Sequence, residues 1–182
     1  MSLAGRLLVA APVLRDPNFD RTVVLMLSHD EDGAMGVVVN RPTDVPITSI
    51  LPDWQPVVSE PDVVFKGGPV SLDSALGLAA LVDGDEPLGA RRVIGRLAVV
   101  DLDAPPELVS PAVLGMRVFA GYAGWSPDQL EAEIEEGAWY VVDAEASDAF
   151  SQSAEDLWRA VLRRQPGPLS WMADFPPDPS LN

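Results

Sequence analysis

Ser126 lies in the pentapeptide GWSPD, residues 124–128, where a glycine and an aromatic residue lead into a serine. A serine nucleophile of the G-x-S-x-G type needs a second glycine two positions later, and Asp128 occupies that position. Pro127 is the stronger objection, because the residue after the nucleophile donates its backbone N–H to the oxyanion hole and proline has none. His29 is the only histidine that can serve as a general base. The sequence therefore argues against hydrolase chemistry at Ser126.

The same residues fit the start of a helix. A serine cap followed three residues later by Gln129 is a capping box, in which each side chain satisfies a backbone N–H of the other residue. Trp125 before the cap and Leu130 in the first turn are placed to form a hydrophobic staple. The sequence therefore predicts a helix over 127–136 with Ser126 as its N-cap.

Two further segments, HDEDG at 29–33 and KGGP at 66–69, invite a ligand-binding interpretation. A histidine beside three carboxylates suggests a divalent cation, but the remaining ligands of a calcium loop are missing. The glycine turn matches no phosphate-binding pattern, and Pro69 removes one donor that an anion nest needs. The chain also contains no cysteine, which excludes thiolate metal sites. We expect an acidic hairpin tip and a tight turn here, with no metal and no cofactor.

Arg21 and Arg41 are the basic residues best placed to bind an anion or a partner. Arg21 follows the segment DPNFD, residues 16–20, and precedes an apolar strand. Arg41 ends the next predicted strand, so the register of the intervening hairpin decides whether the two arginines lie together. The alternative is that both arginines organise loops through structural ion pairs.

The charge of the chain limits its partners. The chain has 28 acidic and 12 basic residues, a net charge of −16. Such a surface repels phosphate backbones at long range, which disfavours nucleic acid and anionic membranes as partners. No apolar run approaches the ~20 residues of a membrane-spanning helix. The apolar stretch at 6–14 lacks the flanks of a signal peptide and predicts a buried strand instead, so we expect a cytoplasmic protein.

Apolar and β-branched runs alternate with turn residues along most of the chain, which is typical of a sheet protein. DEDG between two such runs predicts a hairpin over 21–41, and VIGRLAVVD predicts one strand over 93–101. Apolar residues at helical spacing predict another helix over 153–165. The order of elements predicts an α+β fold with a mixed, mainly antiparallel sheet flanked by helices. We expect a single compact domain over 1–182, with a frayed tail from about residue 176.

Several blocks, in their order along nearly the whole chain, resemble the AlgH/YqgE family of bacterial proteins: GRLLVA (5–10), DPNFDRTVVL (16–25), His29, GAMGVVVNRP (33–42), GGPV (67–70) and GYAGWSPDQLEAEI (121–134). The resemblance implies a single α/β domain with a mixed sheet flanked by helices. Members are labelled as transcriptional regulators, and no accepted biochemical activity comes with the family. Glycines and prolines in these blocks have conformational explanations. Phe19, Arg21, Tyr122 and Trp125 match the blocks without such an explanation.

These observations favour a non-catalytic, cytoplasmic regulatory protein that binds another protein. One alternative is direct DNA binding through the arginines of 91–96 and 159–164, which would have to overcome the net charge of −16. The second alternative is a small-molecule-binding protein or a hydrolase that uses the region from Tyr122 to Trp125. The candidate binding residues are Phe19, Arg21, Arg41, Tyr122 and Trp125.

Overall fold

A sheet of ten strands forms the centre of the molecule. The computed structural model describes residues 1–176, so the tail expected to fray from about residue 176 lies, but for its first residue, outside the described part. The strands are β1 (Leu7–Ala10), β2 (Val23–Asp30), β3 (Gly33–Val38), β4 (Pro42–Pro46), β5 (Val63–Lys66), β6 (Val70–Leu81), β7 (Ala90–Ile94), β8 (Leu97–Val100), β9 (Val113–Trp125) and β10 (Trp139–Val142).

Helices are few and short. The α-helices of the described residues are α1 (Gln129–Glu135) and α2 (Leu157–Arg163). Single turns of 3₁₀-helix connect the strands at Ile47–Ser49, Pro52–Trp54, Pro106–Leu108, Ser110–Ala112 and Ala154–Asp156, and longer ones span Ala146–Phe150 and Gly167–Asp174. No helix within residues 1–176 combines the length and the apolar character needed to cross a membrane.

The sheet has the strand order β10-β1-β2-β3-β9-β6-β8-β7, while β5 pairs with β9 and β4 pairs with β5. Between the described strands, only β5 and β9 run parallel. The predicted mixed and mainly antiparallel sheet is confirmed, and the sheet is curled. The predicted flanking by helices holds only in part, because most of the chain is strand or connecting turn.

Strand β1 is buried on both faces, as its continuous apolar run predicts. Leu7 and Val9 face one core, which also contains apolar residues of α2, while Leu8 and Ala10 face a second core on the other side. The indole N–H of Trp158, on α2, donates to the carbonyl oxygen of Ala10 at 2.8 Å. α2 therefore closes one face of the sheet directly over its first strand.

The predicted hairpin is present, and a second hairpin replaces a predicted single strand. β2 and β3 pair from Asp30 and Gly33 inward, across a two-residue turn. The segment 93–101, expected to form one strand, contains the end of β7 and all of β8, which pair antiparallel. Gly95 in the turn between them has a φ of +54°, a left-handed conformation that glycine adopts at little cost. Gly95 therefore forms a turn, although the apolar residues on either side of it indicated one continuous strand.

The Gly-Gly-Pro turn between β5 and β6 packs directly against β9. The N–H of Gly67 donates to the carbonyl of Ala120 at 2.8 Å. A Cβ atom on Gly68 would lie 2.2 Å from the backbone carbonyl of Tyr122, and one on Gly121 would lie 2.6 Å from the Gly68 carbonyl oxygen. The two segments of the chain, the Gly-Gly-Pro turn and β9, cross where neither has room for a side chain. This close approach accounts for the glycines of both motifs by packing, without an anion.

Candidate functional site

Arg41 holds the loop that precedes β2. Its guanidinium donates to the carbonyl oxygen of Pro17 at 2.8 Å and to that of Asp20 at 2.7 Å. A planar guanidinium with two parallel donors suits such a bridge between two points of one loop. The sequence left two roles open for Arg41, binding of an anion or partner and organisation of a loop. The contacts of Arg41 fit the organisation of a loop.

Arg21 is tied to the C-terminal part of the described chain. Its guanidinium donates to the carbonyl of Phe175 at 2.7 Å and lies 4.4 Å from the centre of the Trp158 ring. Burial lowers the pKa of Arg21, and nearby Arg159 lowers it further, while Asp20 opposes the shift. Arg21 and Arg41 thus contact different segments of the chain.

Phe19 and Trp125 belong to one aromatic cluster with Trp139. The Phe19 ring is stacked on Trp125 at 6.2 Å between centroids and meets the edge of Trp139 at 5.5 Å. Trp125 and Trp139 also meet edge to face at 6.0 Å. Such pairs stabilise a fold beyond their buried area. The cluster fastens the loop before β2 onto the strands β9 and β10.

Tyr122 lies on the other face of the sheet. It packs against the core that contains Phe119, whereas Trp125 belongs to the core on the opposite side. Four of the five predicted binding residues therefore lie in the loop at 15–21 or contact it, and Tyr122 does neither. Their role in binding stays a prediction.

Ser126 makes half of the predicted capping box. Its backbone N–H donates to Oε1 of Gln129 at 3.0 Å, and its hydroxyl donates to the same oxygen at 3.1 Å. The hydroxyl therefore caps no helical N–H group. α1 begins at Gln129, two residues later than predicted, because Asp128 before it adopts a left-handed φ of +63°. The helix start is displaced, and the Ser126 hydroxyl bonds to Gln129 while His29 bonds to Leu3 and Glu131.

His29 joins the first residues of the chain to α1. Its Nδ1 accepts the backbone N–H of Leu3 at 3.0 Å, so Nε2 carries the proton and donates to Oε1 of Glu131 at 2.5 Å. The pKa of Glu131 is lowered by its own backbone N–H and then by His29. Among the described residues no group of three histidine, aspartate or glutamate side chains is arranged to hold a metal ion. The imidazole is a structural link here.

Arg117, in the middle of β9, was not singled out from the sequence. Its side chain is fully buried, and the guanidinium donates to the carbonyls of Glu60, Ser151 and Ala149 at 2.8, 3.0 and 3.2 Å. It lies 4.1 Å from the centre of the Phe65 ring and has no ion pair within residues 1–176. Burial lowers its pKa to about 10. An arginine between apolar strand residues was the available signal.

A groove with a volume of about 680 Å³ opens on the sheet where β5, β9, β6 and β8 lie side by side. We call it the aspartate-rimmed groove. Its apolar walls come from two 3₁₀ turns and the strands, and include Ile50, Leu51, Val64, Leu72, Val100 and Leu102. Leu72 is 50% exposed and Ile50 is 47% exposed, although both belong to a concave surface. Exposed aliphatic side chains in a cleft are typical of a binding site.

Three carboxylates border this groove: Asp73, Asp101 and Asp103. Asp101 accepts the backbone N–H of Asp103 at 2.9 Å, and none of the three makes an ion pair within residues 1–176. No basic side chain lines the groove. Lys66, the last residue of β5, follows Val64 by two residues and therefore lies on the same face of the strand. It nevertheless lies beyond ion-pair distance of these carboxylates. The rim is negative and without an internal counter-charge.

The groove continues into a second hollow of about 320 Å³ along the turn at 50–54. Asp53 adds a fourth carboxylate at this end, and Asp103 borders both hollows. The indole N–H of Trp54 donates to the carbonyl of Leu102 at 3.0 Å and fixes one wall. The sequence did not point to this surface, because its carboxylates come from segments far apart in the chain.

The fold and the groove define a curled-sheet protein with an open apolar cleft and an acidic rim. The chain belongs to the AlgH-like family, whose model matches residues 7–170. This confirms the resemblance to the AlgH/YqgE blocks. A UPF0301 protein of Streptomyces coelicolor is 60% identical over 185 residues, which cover all of this chain and 96% of the relative.

Two solved structures share the fold. Protein DIP2367 from Corynebacterium diphtheriae, known from a crystal structure, superposes with a TM-score of 0.90 at 38% identity, over 94% of this chain and 92% of that one. The solution structure of AlgH from Pseudomonas aeruginosa superposes with a TM-score of 0.70 at 28% identity, over 97% and 95% of the two chains. The family and the fold are therefore established together.

Proposed function

We propose that this protein catalyses no reaction and acts as a cytoplasmic regulatory protein that binds another protein at the aspartate-rimmed groove. The observation that carries the proposal is the pairing of half-exposed Leu72 and Ile50 with an unneutralised carboxylate rim. The occupant is a segment of the partner that brings apolar side chains for the walls and positive charge for the rim. Apolar anchors surrounded by complementary charge are typical of protein interfaces.

The side chains that line the groove include few groups that could take part in catalysis. Ser74 supplies the only hydroxyl among its lining side chains, and the one histidine of the chain, His29, is engaged elsewhere. A nucleophile needs an adjacent base within hydrogen-bond reach, and Ser74 makes no such side-chain hydrogen bond within the described part of the chain. These features support binding over hydrolysis.

The arginines considered for DNA contact are largely engaged within the protein. In the first group Arg92 donates to backbone carbonyls and Arg96 pairs with Asp83 at 3.0 Å. In the second group Arg164 pairs with Asp148 at 2.6 Å. A DNA-binding face needs clustered cations that are free to meet phosphates. The contacts and the net charge of −16 both support a protein partner instead.

Affinity capture from the native cell extract tests the proposal, with proteins and nucleic acid scored together. We compare the native chain with a Leu72→Glu variant, which places a like charge in the groove, and with Leu88→Glu as the matched control. Leu88 is 76% exposed and lies in a loop outside the groove. All three proteins are first shown to be folded by circular dichroism.

The expected result is a protein that is captured by the native chain and by Leu88→Glu but lost with Leu72→Glu. That protein, once purified, must rebind the native chain in a defined stoichiometry. Equal capture by all three chains places the binding surface elsewhere. Capture of nucleic acid that weakens steeply as salt rises supports the DNA-binding alternative and contradicts the proposal.

A further inference from the structure

We infer that the partner segment in the aspartate-rimmed groove is an amphipathic helix, which carries a stripe of apolar residues with lysine or arginine on both sides of the stripe. The inference rests on the proposed function, because it concerns the same groove and the same partner. It adds the conformation of the bound segment and the arrangement of its apolar and basic residues.

One border of the groove is a bulge in β6. Between two regular pairs with β9, the four residues 71–74 stand opposite Gly121 alone. Ser71 has a φ of +51°, so the chain leaves the extended conformation here. The bulge carries Leu72 and Asp73, which both line the groove. It therefore presents side chains to an incoming segment and interrupts the strand edge to which another strand could add.

Two further borders are turns. After β8 the N–H of Ala104 donates to the carbonyl of Asp101 at 3.1 Å, and the N–H of Asp103 donates to the Asp101 carboxylate at 2.9 Å. Ile50 and Leu51 lie between two short 3₁₀-helices and form another wall. The backbone at these borders follows turns, as it does in the bulge, so the groove meets its occupant mainly through side chains.

A segment that lies in such a groove has to satisfy its own backbone. Buried N–H and C=O groups need hydrogen-bond partners, and a helix supplies them within itself. Residues three and four apart on a helix share one face, and the positions beside them flank that face. A helix therefore turns apolar and basic residues toward the groove together. A strand of alternating residues turns only one of the two kinds toward it.

The carboxylates stand on separate borders of the groove. Asp73 lies on the bulge, Asp101 and Asp103 lie on the turn after β8, and Asp53 borders the adjoining hollow. These four aspartates make no ion pair within residues 1–176. A cation on the helix gains such a carboxylate without displacing another cation. Because the carboxylates come from different borders, the helix needs cations on both sides of its apolar stripe.

The charges also choose between classes of occupant. A second copy of this chain brings its own net charge of −16, and nucleic acid brings phosphates, so both are repelled. A polyamine neutralises the carboxylates but leaves Leu72 and Ile50 exposed. A basic amphipathic helix covers the apolar walls and neutralises the rim, which is the helix-in-groove mode of peptide recognition.

A blocked peptide of about four helical turns, titrated into the full chain, tests the inference. Its leucines recur at helical spacing along one face, lysines flank them on both sides, and alanine fills the remaining positions. Calorimetry gives the affinity, and amide NMR shifts give the location, which we expect at 50–54, 71–75 and 100–104. An isomer of the same composition, with leucine and lysine spread around the helix, should bind at least about tenfold more weakly. Equal affinity of the two isomers overturns the requirement for one amphipathic face.

Two analogues that differ only on the outward face test the conformation of the bound peptide. A hydrocarbon staple holds the first analogue in a helix and should tighten binding at least about threefold, because less order is lost on binding. The second analogue has proline in place of a central, outward-facing alanine, and it should bind about tenfold more weakly because proline breaks the helix. Unchanged binding of the proline analogue, or weaker binding of the stapled one, overturns the helical conformation.

Variants of the rim test the charge requirement. Asp73→Asn, Asp101→Asn and Asp103→Asn together should weaken binding of the helical peptide about tenfold and remove most of its salt dependence. The matched control exchanges Asp85 and Glu86 for their amides, since both lie in an exposed loop outside the groove. Equal affinity in the two variants contradicts the inference. Melting temperatures confirm that both fold.

The peptide and the extract experiments separate the two proposals. A captured protein that depends on Leu72, combined with no binding of the helical peptide up to about 1 mM, overturns the inference and leaves the proposed function standing. Loss of Leu72-dependent capture overturns the proposed function whatever the peptide does. Displacement of the peptide by spermine of equal affinity overturns the requirement for an apolar stripe.

Discussion

Arg117 places a cation inside the protein with carbonyl oxygens and an aromatic ring around it. Its three carbonyl partners belong to the segment before β5 and to the 3₁₀-helix Ala146–Phe150 with the residue that follows it, so one side chain ties two distant connections to β9. The local sequence shows only an arginine among apolar strand residues and does not reveal this role, because an arginine in a strand ordinarily faces solvent. The burial of Arg117 follows from long-range packing.

Replacing Arg117 with methionine should lower the free energy of unfolding by about 2 kcal/mol, measured by urea denaturation. Three buried carbonyls lose their donors, while removal of a desolvated charge returns part of that cost. Hydrogen exchange should rise first at 59–60 and 146–151. Arg91→Met is the control, since Arg91 is exposed on β7, and its effect should stay within about 0.5 kcal/mol. Equal losses of unfolding free energy for Arg117→Met and Arg91→Met contradict the role of Arg117 in tying the two connections to β9.

The backbone hydrogen bond of the Glu131 carboxylate and then its contact with His29 lower the pKa of Glu131 and make stability depend on pH. The pKa of Glu131 is lowered from its usual 4.5. A carboxyl group with a lowered folded pKa contributes stability that is fully present above the unfolded pKa and is lost as pH falls through the folded pKa. Glu131→Gln should therefore lower the melting temperature most near pH 7, and the difference from the native chain should shrink below about pH 4.5.

Circular dichroism melts from pH 3 to pH 7 check this expectation. Glu135→Gln serves as the control, because Glu135 is an exposed carboxylate on the same helix with no resolved side-chain partner among the described residues. A difference for Glu131→Gln that stays constant over the whole range rules out the charge of Glu131 as its cause.

Among the elements, the crossing of the Gly-Gly-Pro turn with β9 is the most restrictive. Gly68→Ala should cost more than about 3 kcal/mol of unfolding free energy or prevent folding, because the new methyl group meets the backbone of Tyr122. Gly84→Ala is the matched control, since Gly84 also has a positive φ but no heavy atom within 4 Å of a new Cβ. It should cost about 1 kcal/mol. Yields, melting temperatures and denaturant titrations of the two variants test the difference.

The sequence predicted elements well where local chemistry decides them. The β2–β3 hairpin is encoded in its turn residues, and β1 in its apolar run. The start of α1 was displaced because Asp128 adopts a left-handed conformation, which aspartate tolerates better than most residues but which the capping-box pattern does not indicate. The 93–101 segment was misjudged because Gly95 divides an apolar run that otherwise fits one strand.

At the scale of the whole molecule, the sequence predicted the sheet class but not the neighbours of each strand. The parallel contact of β5 with β9 and the early end of β8 beside β6 depend on pairings between distant segments. The aspartate-rimmed groove exists only because those pairings bring Asp73 close to Asp101 and Asp103. Conversely, three residues that the sequence singled out, Phe19, Arg41 and Trp125, make contacts that fasten the loop before β2.

The position of β1 between β2 and β10 bears on how a ribosome makes this protein. Leu8 pairs with Val24, which follows it closely along the chain, but also with Val141, which emerges much later in synthesis. Until then the nascent chain carries a completely apolar strand with one free edge, the kind of surface that recruits chaperones or aggregates. Slow translation of the middle of the chain should therefore harm this protein more than heating the finished molecule briefly.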